Sequence, residues 1–213
     1  MTAKTRLIRR LLETGAIQTG GEYVTKSGEV FNYETDLRCA MTSFLSATLT
    51  SRLILGAMHP LPGGLEYFLG VPETGTLLAF FLNQQKYALS KADFPINVLR
   101  ASPKTYQQAT ASVHTVLPLN PAGKVCIVED DVVSGATLLH YIDVARGLGL
   151  EVLRVVAVMD RERADERGMR VRDKVEERGL TYQPLVTVND LKAYMPQGRE
   201  AGLEPGRAIS LQD

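Results

Sequence analysis

Val125-Cys126-Ile127-Val128-Glu129-Asp130-Asp131-Val132-Val133-Ser134-Gly135-Ala136-Thr137 carries four apolar residues into three carboxylates, and then into a short loop of small and hydroxyl residues. Leu138, Leu139, Ile142, Ala145 and Leu148 follow at helical spacing. The pattern predicts a buried parallel strand over 125–128 that ends in acids, with a helix over 136–148 directly after it. Such a turn suits a phosphorylated sugar. Backbone N–H groups of the loop and first helical turn face the phosphate, helped by the helix dipole. The carboxylates can accept hydrogen bonds from sugar hydroxyls or approach a divalent cation carried by the ligand. One acid at a strand-to-helix turn is ordinary, but three in succession call for a cation or ligand to relieve their repulsion. No Gly-Lys-Ser/Thr follows a glycine-rich turn, so this is not a Walker loop.

Outward from that stretch, strands and helices alternate. Thr5 to Thr14 reads as an amphipathic helix closed by Gly15 and Gly20-Gly21. Glu22 to Leu37 mixes alternating apolar residues with turn residues and suggests a hairpin. Ala40 to Leu55 has helical periodicity, His59 to Gly64 reads as a loop, and Glu66 to Val71 as a short strand. A helix over Thr76 to Leu89 and a short strand over Asn97 to Leu99 come next. Ser102 to Leu119 has little periodicity and reads as a long loop. After the central stretch come a strand over Val152 to Met159, a helix ending near Gly179, a strand over Tyr182 to Val188 and a last helix opened by Asn189-Asp190. Residues beyond Pro196 read as a loose tail. Alternation with apolar centres predicts an α/β fold, a central mostly parallel sheet flanked by helices. Ligands of such sheets sit at the carboxyl ends of the strands. Three predicted strand ends carry chemistry: Pro72 to Gly75, Glu129 to Thr137, and Asp160-Arg161-Glu162.

The 213 residues fit one α/β domain with an appendage, and 45% hydrophobic content is ordinary for a full core. Lys plus Arg and Asp plus Glu both number 24, so no general field attracts nucleic acid or an acidic membrane. Cys39 and Cys126 form neither a disulfide framework nor a zinc-ligand spacing, and Cys126 reads as a small core residue. The basic N-terminus lacks an apolar h-region, and no apolar run approaches a membrane span. His59, His114 and His140 are scattered, and no Gly-x-Ser-x-Gly elbow is present. The expectation is a cytoplasmic enzyme or binding protein with no nucleic-acid or membrane partner.

The chain resembles the type I phosphoribosyltransferases, and their orotate branch in particular, from about residue 5 to 195. Lys26-Ser27-Gly28 with Asp36-Leu37-Arg38 looks like that branch's N-terminal substrate segment. Gly70-Val71-Pro72 with Gly75 looks like its diphosphate-binding loop, residues 125–137 like its phosphoribosyl diphosphate motif, and Asp160-Arg161-Glu162 like its orotate-recognising segment. The resemblance implies a small N-terminal hood over residues 1–40, a phosphoribosyltransferase core over 41–195 and a tail over 196–213. It also implies a magnesium-dependent homodimer that transfers phosphoribosyl from phosphoribosyl diphosphate to orotate.

By the same resemblance, Glu129 and Asp130 meet the ribose hydroxyls, with magnesium held through the ligand near them. Ser134, Gly135, Ala136 and Thr137 wrap the 5-phosphate, and Asp131, Val132 and Val133 belong to the same substrate-binding segment. Pro72, Glu73, Thr74 and Gly75 form the diphosphate loop, and Lys26 and Arg161 contact the base. Arg161 suits the orotate carboxylate because its guanidinium is a planar fork of fixed donors. Arg100 and Lys104 reach the diphosphate of a partner subunit, Lys104 assisting its departure, and the loop 102–116 closes to exclude water. The chain departs from the family's pattern at Thr74 and Ala101, where basic residues are usual, at Glu73, where an aromatic is common, and at Tyr106, which replaces a histidine. Two registers are open for the acidic pair, Glu129-Asp130 or Asp130-Asp131. Two other functions stay open beside orotate transfer: transfer to another base, and non-catalytic nucleotide binding.

Overall fold

Val125, Cys126, Ile127 and Val128 are all fully buried, each 0% exposed. A strand buried on both faces has to lie inside a sheet covered by helices. The computed structural model, which describes residues 1–24, 30–102, 114–117 and 123–195, has that arrangement. In chain order, helix α1 (Ala3–Glu13) leads into an antiparallel hairpin of β1 (Ile17–Val24) and β2 (Val30–Thr35). A 3-10 turn (Leu37–Met41) precedes α2 (Phe44–Ala57). The core follows as β3 (Tyr67–Gly70), α3 (Thr74–Ser90), β4 (Lys124–Val132), α4 (Ala136–Gly147), β5 (Glu151–Asp160), α5 (Val171–Glu176), β6 (Tyr182–Thr187) and the short α6 (Val188–Leu191). The sheet has order β3-β4-β5-β6, and every neighbouring pair is parallel.

Strand alternation divides the apolar residues between two cores. Phe68, Cys126, Val128, Val156 and Val158 join one core with Leu7, Leu11, Ile54 and Leu82 from α1, α2 and α3. Tyr67, Leu69, Val125, Ile127, Val155 and Ala157 join the other with Leu138, Tyr141 and Ile142 of α4 and Val171 and Val175 of α5. Each fully buried aliphatic side chain contributes about 1.5–3 kcal/mol of transfer free energy. The sheet is therefore the shared wall of both cores. Among the described residues no helix is long and apolar enough to cross a membrane.

Several boundaries differ from the sequence expectation. The strand expected over 125–128 does not stop at the acids. Its partner β5 runs to Asp160, and the ladder continues through Glu129↔Ala157, Asp131↔Met159 and Val132↔Asp160. Cross-strand pairing overrides the low strand propensity of acids. The helix expected from Ala40 starts at Phe44, because the Ser43 side chain caps it by accepting from the Ser46 N–H at 3.1 Å. Gly20 and Gly21 do not close α1; they lie in β1, where the register of the hairpin shifts between Thr19 and Tyr23. The expected strand Asn97–Leu99 reduces to a single antiparallel bridge, Leu99 to Thr115. The tail expected beyond Pro196 lies outside the described residues.

Candidate functional site

Parallel pairing brings the three chemistry-bearing strand ends to one edge of the sheet. At the end of β3, the Val71 N–H donates to the Val128 carbonyl at 2.9 Å, and the chain turns through a cis Pro72–Glu73 peptide into α3. Gly70 and Gly75 let this turn close on itself and on β4. A Cβ at Gly70 would collide with the Gly75 carbonyl, and one at Gly75 would lie only 2.7 Å from the Val128 carbonyl oxygen. Glu73 stands at the N-cap of α3 and Thr74 at its first position, and no side chain caps the helix there. The first N–H groups of α3 therefore border the start of the acidic run.

The acids of β4 are separated by strand alternation. Glu129, Asp131, Val132, Val133, Ser134, Gly135, Ala136, Thr137 and Leu138 line a cavity of about 140 Å³. Asp130, which points the other way along the strand, does not line it; its N–H donates to Glu129 Oε1 at 3.1 Å. Glu129 is 6% exposed, and burial pushes its carboxyl up to about 9, with Asp130 adding to the effect. It is a neutral acid at physiological pH until a cation or donor reaches it. Gly135 opens α4 with φ +75°, and a Cβ there would lie 2.5 Å from Val171 Cγ2. The N-cap Gly135 offers no side chain, the Ala136 N–H donates to Ser134 Oγ at 3.4 Å, and Ala136, Thr137 and Leu138 of the first turn of α4 line the cavity.

Arg161 stands just past the end of β5, its N–H donating to the Val132 carbonyl at 2.9 Å. Its guanidinium meets Asp131 through Nη2 at 2.6 Å and Nε at 3.1 Å, both to Oδ2, and through Nε at 3.2 Å to Oδ1. Nη2 also donates to Thr35 Oγ1 at 2.7 Å, and the Thr35 hydroxyl donates to Asp131 Oδ2 at 2.6 Å. The hairpin supplies walls as well: the Phe31 and Tyr33 rings lie 5.9 and 5.8 Å from the guanidinium carbon. Burial pulls the Arg161 pKa down, but hydrogen bonds and charge from Asp131 outweigh it and the net shift is upward. Asp160, beside it, is buried and raised by that burial; it accepts from Tyr182 Oη at 3.0 Å and the Glu162 N–H at 2.7 Å. Asp160 thus holds the turn that presents Arg161.

Other expected site residues are placed differently. The Arg100 Nε donates to the Thr115 carbonyl at 2.7 Å, and the Arg100 carbonyl accepts from Tyr141 Oη at 2.8 Å. Asp36 and Arg38 pair with each other at 2.7 Å on the surface, with Asp36 also capping the 3-10 turn. Lys26, Lys104 and Tyr106 lie outside the described residues, as does most of the loop 102–116. Thr35, Phe31 and Tyr33 are site neighbours that the sequence reading did not single out. Their i, i+2, i+4 spacing on a hairpin strand was the available signal, since it puts all three on one face. Among the described residues no group of three or more His, Cys, Asp or Glu could hold a metal ion.

No protein-family model matches the chain. The chain is 30% identical over 190 residues to the orotate phosphoribosyltransferase of Methanopyrus kandleri, covering 88% of this chain and 91% of that one. It is 25% identical over 190 residues to the orotate phosphoribosyltransferase of Pyrococcus abyssi, covering 88% and 94%. Among solved structures, the orotate phosphoribosyltransferase of Aeropyrum pernix shares the fold with a TM-score of 0.67 at 21% identity, over 88% of this chain and 97% of that one.

Proposed function

Because the chain belongs to the orotate phosphoribosyltransferase family, we propose that it transfers phosphoribosyl from phosphoribosyl diphosphate to orotate, giving orotidine 5-phosphate and diphosphate. One observation carries this reading: a polar cavity at the carboxyl end of β4, walled by carboxylates and the N-terminus of α4, with Arg161 just past the end of the next strand. In it the 5-phosphate sits against the N–H groups and hydroxyls of Ser134, Gly135, Ala136 and Thr137, where the dipole of α4 favours negative charge. Glu129 accepts from the ribose hydroxyls on the cavity side of β4, with Asp130 beside it at the same strand end. Pro72, Glu73, Thr74 and Gly75 border the diphosphate, and Arg161 faces the carboxylate of the base. Lys26 contacts the base from the hood, and Arg100 and Lys104 serve the diphosphate.

The bond from the anomeric carbon to the diphosphate oxygen breaks as the bond to the orotate nitrogen forms, with positive charge developing on the sugar. No side-chain nucleophile is required. The chain acts by aligning donor and acceptor and by setting its carboxylates beside the developing cation. Glu129 and Asp130 would lie near a magnesium ion carried on the diphosphate, and its charge would neutralise the leaving group. The same reading includes a cytoplasmic homodimer. Phe44, Leu45, Leu49, Leu77 and Phe80 of α2 and α3 are exposed on the single chain, and a second copy is the partner that covers them.

The test is orotate consumption followed by absorbance, with saturating phosphoribosyl diphosphate and magnesium. Steady turnover that stops on chelation is expected. A folded chain that consumes no orotate at saturation overturns the proposal.

A further inference from the structure

Arg161 is the cation that the proposed reaction reserves for the carboxylate of the base, yet the chain already supplies it with a carboxylate of its own. Asp131 takes the Nε and Nη2 edge of the guanidinium, the edge best suited to bidentate pairing. Thr35 closes the triangle by accepting from Nη2 and donating to Asp131. The side chains of Arg161 and Asp131 are only 14% and 17% exposed, so solvent screens the pair weakly. Aromatic rings of Phe31 and Tyr33 border the guanidinium, and a second cation, Arg163, lies 5.6 Å from the Phe31 ring.

An incoming carboxylate has two routes to Arg161. It can displace Asp131, which must then give up its hydrogen bonds to Arg161 and stay close to Thr35. Or it can take the remaining donors with Asp131 left in place, two like charges sharing one cation in a half-buried setting. Both routes lower affinity for an anionic base and leave a base without a carboxylate untouched. The acid responsible is the last of three in the run 129–131, and it sits on the cavity side of β4 with Glu129.

We propose that Asp131 is a specificity-determining residue, an internal carboxylate that competes with the carboxylate of the base for Arg161. The inference rests on the reading of Arg161 as part of the base subsite. It makes this chain a weaker binder of orotate than its Arg161 alone would make it.

The test compares orotate and uracil binding by calorimetry to the intact wild type and to Asp131→Asn, Asp131→Val and Asp143→Asn. Asp131→Asn keeps the volume and can keep the Thr35 hydrogen bond, so it guards against loss of fold in Asp131→Val. Orotate is expected to bind about tenfold more tightly to both Asp131 variants, the effect of removing one charge competitor. Uracil should change less than about twofold, and Asp143→Asn, which alters the same net charge at an exposed acid of α4 paired with Arg178, should bring no comparable gain. Orotate affinity equal in all four proteins, undetectable binding included, overturns the proposal. So does an equal gain for uracil or in Asp143→Asn, because the effect would then be general field and not competition for Arg161. Transfer activity is measured alongside. A wild type that turns over orotate while the Asp131 variants bind no better loses this inference and keeps the transferase reading. A wild type without turnover whose Asp131 variants do bind orotate better keeps this inference and loses the transfer.

Discussion

At the scale of single residues, burial and pairing decide the charge state of the site. Glu129 is a neutral acid near neutral pH because burial lifts its pKa from 4.5 to about 9. The sign follows from linkage: the folded chain holds this proton more tightly than the unfolded one, so stability is full below pH 4.5 and declines as pH rises toward 9. The slope contributed by this one group is at most about 1.4 kcal/mol per pH unit. Glu129→Gln should flatten that dependence, so urea melts at pH 5 and pH 8.5 should differ less in the variant than in wild type. An unchanged difference would mean that the unliganded acid is already ionised. Arg161→Ala leaves Asp131 with Thr35 alone and, under the proposed function, removes donors from the base. Orotate affinity should fall roughly 10- to 100-fold, the equivalent of about 1.5–3 kcal/mol for a charged hydrogen bond. Binding of phosphoribosyl diphosphate should change far less, and calorimetry with each ligand separates the two. The residues that the sequence marked at this scale were those whose type is itself unusual, such as three acids in a row. Thr35 and Tyr33 were not legible, because a threonine and a tyrosine on a hairpin strand look like ordinary surface and core until the fold sets them against Arg161.

At the scale of elements, the site is a set of strand-to-helix turns, and glycine makes two of them possible. Gly135 has φ +75°, in the left-handed region, and its missing side chain leaves room for Val171 of α5. Gly135→Ala should destabilise the chain by about 1–2 kcal/mol from backbone strain alone, with the contact to Val171 adding to it. Adding Val171→Ala should remove the contact and not the strain. Thermal melts of the single and double variants should therefore show partial rescue; full rescue or none would refute one of the two causes. The order of strands and helices was readable, since apolar periodicity and caps act within a few residues. Their ends were not always readable. The acids of β4 stay in the ladder because β5 continues opposite them, and α2 begins late because Ser43, not Ala40, caps it.

At the scale of the whole molecule, α2 and α3 are the informative surface. Their apolar residues face both inward and outward, a pattern expected of helices covered on two sides. Scattering from the full-length chain in solution should give twice the chain mass. Phe80→Glu, which places a charge where Phe80 is 59% exposed, should shift the population toward the monomer without loss of the cooperative melt. A wild type that is monomeric at every concentration removes the dimer from the reading. The N-terminal hairpin belongs to this scale too, because tertiary packing is what sets its Thr35 and Tyr33 beside Arg161. Sequence alone determined that β and α elements alternate, that an acidic strand end meets a small-residue turn, and that the fold is an α/β sheet covered by helices. Those are local properties, set by side-chain period and backbone preference within a window of residues. Tertiary structure alone decided that Asp131 and Arg161, 30 positions apart, and Thr35, another 96 before Asp131, form one closed ion-pair triangle. Strand register and hairpin packing set that distance, and neither is written in any short stretch of chain.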